Sequence, residues 1–160
     1  IGVETVNEKY PEDYPEDFEE KLIEAGATTK EVKPVYRILY DGELKAENFD
    51  STFHDYKRRG KKITKRQLND IGTYSTSVFL NLEEANLVRV YSMRNPPNAR
   101  MAVGMIAADT GYNQRTIERK EQKRRTHCDW WIFSTISKEK EILPLFEVLK
   151  EGEDDQGKDV

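Results

Sequence analysis

Two glutamates, Glu139 and Glu141, stand two positions apart in SKEKEILPLFEVLK, just before an apolar run. On an extended chain, residues i and i+2 share a face, so this spacing sets two carboxylates side by side. Such a pair suits a solvated strand edge, where charge discourages pairing with other chains. It also suits a site in which one carboxylate stabilises a developing cation and the other moves a proton. Two further elements carry groups fit for such a site. Arg37 lies in PVYRILYDG, and Ser75, Thr76 and Ser77 open the run STSVFLN. A guanidinium offers a rigid fork of donors matched to phosphate, although an arginine in a half-buried strand also serves as a snorkelling cation. Hydroxyls at a strand start orient a neighbouring group or satisfy the backbone of a turn.

Positioning these groups requires short strands and a few helices. Pro15 near a start, acids in the first turn and Gly26 as a stop predict a helix over 17–25 that buries Phe18, Leu22 and Ile23. Val35 to Tyr40 reads as a strand closed by Asp41-Gly42, and GTYSTSVFLN as a second short strand. NLEEANLVRVYSM is helical, RNPPN breaks it, and ARMAVGMIAAD is a strand that Thr110-Gly111 ends. CDWWIFSTI and EILPLFEVL complete the strands, the latter bent at Pro144. The order predicts an α+β domain with helices mainly in the N-terminal half.

Composition narrows the class. The chain has 160 residues and 18.7 kDa, room for one core, and its mean hydropathy is −0.84. Aromatic content of 10% argues against disorder, and no apolar run approaches the roughly 20 residues that span a bilayer, so no membrane partner is expected. The single cysteine, Cys128, allows no internal disulfide and no cysteine-based zinc site, and two histidines add no ligand cluster; no metal is expected. Net charge is −4, but residues 1–31 and the tail 151–160 are acidic, and the tail reads as disordered. Between them lie the basic runs YKRRGKKITKR and RTIERKEQKRR, which serve either as solvated faces or as an anion site. The start at Ile1 suggests a domain cut from something longer.

Taken in order, VYRILYDG, YSTSVFLNLEEANLV and KEKEILPLFEVL resemble the mono-ADP-ribosyltransferases of the Arg/Ser-Thr-Ser/Glu-x-Glu type. The resemblance spans residues 35–150 and implies an ADP-ribosyltransferase-like split β-sandwich. Residues 1–34 would form an acidic helical lead-in packed on it, and 151–160 the tail. It implies NAD as co-substrate and an arginine of a target protein as acceptor. By resemblance Glu141 holds the nicotinamide ribose and favours its oxocarbenium character, as in glycoside cleavage. Glu139 orients the acceptor guanidinium, and Ser75 fixes Glu141 and contacts the ribose. Thr76 and Ser77 support the strand junction, Arg37 clamps the pyrophosphate, and Arg94 in SMRNPPN adds a phosphate contact. The family includes toxins and effectors, which implies delivery by a larger protein, action in the cytosol of a target or host cell, and an inhibitor or immunity protein in the producer.

Some residues fall outside this pattern. The basic insertion 113–125 has no counterpart in it, His127 reads as structural and Asp129 has no role. Trp130 and Trp131 cannot both face one core on a regular strand, which leaves one packed under a helix or exposed as a partner contact. Two other functions use the same residues differently. A nuclease would draw acid and base from His54 and His127. A non-enzymatic or RNA-modifying module on the same fold would bind nucleic acid through the basic runs.

Overall fold

Alternating apolar residues and well-spaced turn signals organise the chain around one antiparallel sheet. The computed structural model describes residues 9–91 and 97–150. Its strands are β1 (Val32–Leu39), β2 (Thr76–Phe79), β3 (Arg100–Ile106), β4 (Gly111–Arg115), β5 (His127–Ile132) and β6 (Glu147–Val148). They lie in the order β4-β5-β2-β1-β3-β6, every pair antiparallel. The helices are α1 (Phe18–Ala25), α2 (Thr52–Arg58), α3 (Lys65–Leu68) and α4 (Leu82–Tyr91), all in the first part of the chain. The fold is α+β.

The sheet is one ladder with a weak seam. β1 pairs with β3 over most of its length and β2 with β5 over all four of its residues, but β1 and β2 meet at the single pair Tyr36↔Phe79. Beyond that pair the two strands part. The result is two three-stranded halves in one sheet, rather than two separate sheets packed face to face.

Side-chain alternation assigns the cores. Val35, Leu39, Val78, Cys128 and Trp130 face one side, where Phe49, Ile142 and Phe146 cover them. On the other side Ile38, Phe79 and Met101 pack under Ala85 of α4, and Trp131 packs with Phe18 and Leu22 of α1. Both tryptophans are therefore buried, one in each core. Of the two alternatives for the second tryptophan, the one packed under a helix holds, with Trp131 against α1 and neither ring exposed. Helix α1 ends as expected at Gly26, whose φ of 95° is open to glycine at little cost. Phe18 and Leu22 are fully buried, but Ile23 is 55% exposed, since one stripe of so short a helix meets the sheet.

The C-terminal segment departs most from its sequence reading. Instead of a long bent strand, Lys138–Ile142 forms one π-helical turn, Leu143–Leu145 a 3-10 turn, and only Glu147–Val148 joins the sheet. The basic insertion begins within β4, which Asn113 bridges to Thr28 on the side away from β5. Among the described residues no helix is long and apolar enough to cross a membrane.

Candidate active site

Where β1 and β2 part, Arg37 fills the seam. It lies between Val35 and Leu39 on a core-facing row and is 4% exposed. Its Nε donates to the Asn48 carbonyl at 2.9 Å and its Nη1 to the Ser77 carbonyl at 2.7 Å. Tyr40 and Phe49 pack their rings near it. The guanidinium thus replaces ladder bonds that the diverging strands cannot make. It is a clasp between the two halves, with only part of its donor fork left for a ligand.

The Ser-Thr-Ser triplet sends its side chains to opposite faces, as an extended segment must. Thr76 donates to the Phe49 carbonyl at 2.7 Å and borders a cavity of about 330 Å³. Ser77 borders a different cleft, the one Arg37 reaches. Ser75 is fully buried, with Oγ 2.6 Å from Asp129 Oδ1 and 2.9 Å from the Gly72 carbonyl; its one proton goes to the carboxylate. The expected Ser75–Glu141 contact is therefore replaced by Ser75–Asp129.

The two glutamates also separate. Inside a helical turn, positions i and i+2 do not share a face. Glu139 lines the 330 Å³ cavity, whereas Glu141 bends back so that its Oε2 accepts from the Ser137 backbone N–H at 3.0 Å. The Ser137 hydroxyl accepts in turn from Lys140 N–H at 3.2 Å, closing a reciprocal cap. Lys138 reaches Asp50 at 3.1 Å and ties the turn to the segment before α2. Glu141 does not line the cavity; it holds the turn that presents Glu139. Arg94 lies outside the described residues.

Aromatic rings and polar groups complete the cavity walls. Tyr14 and Tyr74 stand with ring centroids 4.8 Å apart. Tyr14 donates to Ser51 Oγ at 2.9 Å and Tyr74 to the Leu68 carbonyl at 2.7 Å. Burial raises the pKa of both phenols, so both stay protonated donors. His54 also lines the cavity, with Nε2 3.3 Å from Asp13 Oδ1. Burial tends to raise the Asp13 pKa, but hydrogen bonds from Lys57 and His54 outweigh it and the net shift is downward.

Asp129, to which sequence reasoning assigned nothing, sits at the centre of a buried network. It accepts from Ser75 and, through Oδ2, from Thr116 Oγ1 at 2.7 Å, and it pairs with Arg119 at 2.8 Å. Arg119 also donates to Gln114 at 3.0 Å, and Thr116 touches His127 Nδ1 at 2.7 Å. A carboxylate between Cys128 and Trp130 on a strand was the available signal: a charge in so apolar a run needs partners.

Some cations of the basic runs are matched by acids of the same chain. Lys57 meets Asp13, Arg58 meets Asp50, Asp55 and Glu47, and Arg59 meets Asp55. In the second run Arg119 is spent on Asp129 and Lys120 on Asp70. Among the described residues no cluster of His, Cys, Asp or Glu is arranged to hold a metal ion. No protein-family model, no curated protein and no solved structure matches the chain.

Proposed function

We propose that the protein transfers ADP-ribose from NAD to an arginine side chain and releases nicotinamide. One observation carries this reading. Thr76 and Glu139, from two motifs far apart in the chain, border a single cavity walled by Tyr14, Phe49 and Tyr74. Its volume of about 330 Å³ lies at the lower end of small-molecule sites. It therefore suits the nicotinamide–ribose end of NAD, with the flat ring against aromatic faces. The bond from ribose C1′ to nicotinamide nitrogen breaks, and its electron pair leaves with neutral nicotinamide. The positive charge left on the ribose is stabilised by the Glu139 carboxylate. A guanidinium nitrogen of the acceptor then bonds to C1′, and its proton passes to solvent water.

The geometry favours a changed division of labour between the glutamates. Glu139 takes the cavity role and Glu141 the supporting one, because Glu141 is engaged with Ser137. The test is nicotinamide release from NAD with agmatine as a free guanidinium acceptor. Glu139→Gln should lower release by about 100-fold or more, the scale of losing a charge-stabilising group. Glu141→Gln keeps an oxygen for the Ser137 N–H and should cost about tenfold or less. Loss of activity confined to Glu141→Gln would restore the original assignment, and no release from the folded wild type would remove the transferase reading. The nucleic-acid-binding alternative has less support, since it gives no role to the cavity that Thr76 and Glu139 share.

A further inference from the structure

We propose that His54 is the base that takes the proton of the attacking arginine, and that the acidic segment before α1 supplies the carboxylate behind it. The inference rests on the transferase reading of the Glu139 cavity and adds a residue to it. His54 belongs to none of the three motifs, and Asp13 lies outside the stretch 35–150 that carries the family resemblance.

The acceptor step leaves one role open. A guanidinium is protonated at neutral pH and gives up a proton as its nitrogen bonds to C1′, so a proton acceptor within reach speeds that step. Few side chains lining the cavity can serve. Glu139 faces the ribose in this reading, and Lys138 is a cation paired with Asp50. Tyr14 and Tyr74 stay protonated, and the serine and threonine hydroxyls are too weakly basic. Among the described residues of the cavity wall, His54 remains.

Its ring is held in a definite pose. Ser51 Oγ accepts from the His54 backbone N–H at 3.2 Å and caps the first turn of α2. The rings of Tyr14 and Phe53 each lie 5.4 Å from the imidazole. Nε2 stands 3.3 Å from Asp13 Oδ1, and Lys57 holds the other carboxylate oxygen at 3.0 Å. Partial burial tends to raise the Asp13 pKa, but the bonds from Lys57 and His54 bring it down, so the group is a carboxylate that only accepts. Nε2 must then donate, which leaves Nδ1 as the lone pair of the neutral ring. A carboxylate so placed fixes the tautomer and stabilises the imidazolium that forms, without taking the proton itself. The balance is simple. The guanidinium nitrogen bonds to C1′, its N–H proton moves to Nδ1, and the ring, about one-third exposed, passes it to solvent water. The ribosylated guanidinium keeps its positive charge.

The test follows labelled NAD with the full chain and agmatine, and measures nicotinamide, free ADP-ribose and ADP-ribosyl-agmatine together. Nicotinamide reports cleavage, and the ratio of ADP-ribosyl-agmatine to free ADP-ribose reports the acceptor step. His54→Gln keeps a donor for Asp13 and deletes the base, so it should lower that ratio by about 100-fold, the scale of general-base catalysis. Asp13→Asn should lower it in the same direction. In His54→Ala, added imidazole should restore the ratio, a rescue that a purely structural role would not allow. A ratio unmoved in His54→Gln, or no rescue by imidazole, would overturn the assignment. A folded wild type that releases no nicotinamide would remove the transferase reading and this inference with it, whereas cleavage with an unmoved ratio removes His54 alone.

Discussion

Replacing Asp129 by asparagine keeps the shape of the side chain and removes its charge. Three donors converge on this carboxylate: Ser75 at 2.6 Å, Thr116 at 2.7 Å and Arg119 at 2.8 Å. An amide has one acceptor oxygen, so its NH₂ would face at least one of these donors. Arg119 would lose its counter-charge while remaining nearly buried, and its Nη2 already lacks a partner. Removing one member of a buried ion pair costs about 3–5 kcal/mol, a large part of the roughly 5–15 kcal/mol that holds a domain folded. At about 2–4 °C per kcal/mol, the melting temperature should fall by roughly 6–20 °C. Thermal and urea denaturation of wild type, Asp129→Asn, Arg119→Gln and the double variant measure this. The double variant should be more stable than the sum of the single losses predicts, because it leaves no uncompensated charge. A loss under about 1 kcal/mol for Asp129→Asn, or strict additivity, would refute the network as a source of stability.

Two other outcomes follow from the same geometry. The folded state holds His127 below 6.5, so its contribution is fully present above that pH and is lost as pH falls. Asp41, lowered to about 2 chiefly by its hydrogen bond from Lys45, adds a second loss below 3.8. Melting temperature against pH should fall in two steps, and His127→Asn should remove the upper one; a rise from pH 7 to 5 would contradict the assignment. Gly111 packs so closely on β5 that an added Cβ would lie 2.1 Å from the Trp131 carbonyl oxygen. Gly111→Ala should therefore destabilise by about 2 kcal/mol or more in urea denaturation, and a neutral result would mean that β4 and β5 separate easily.

Much of the scaffold was legible because it depends on local chemistry. Gly26 stops α1, apolar runs of the right length became β1, β3 and β5, and RNPPN follows the end of α4. The misses have identifiable causes. GYNQR carries little β signal, and it became β4 because β5 and Thr28 pair with its two sides. EILPLFEVL has the composition of a strand, yet Pro144 and the Ser137–Glu141 cap closed its first half into helical turns.

Sequence alone determined the α+β class, the chemistry-bearing groups and the alternation that sends Thr76 and Ser77 to opposite faces. Those properties depend on residue type and the two-residue strand period. Tertiary structure decided which groups come together: Glu139 and Thr76 on one cavity, Ser75 with Asp129, and Arg37 with the seam between β1 and β2. Hydrogen bonds act over about 3 Å, and which atoms come that close depends on strand register and on how a distant turn closes. The pairing of Ser75 with a carboxylate on β5, rather than with one at 141, is a fact of register that no spacing along the chain encodes.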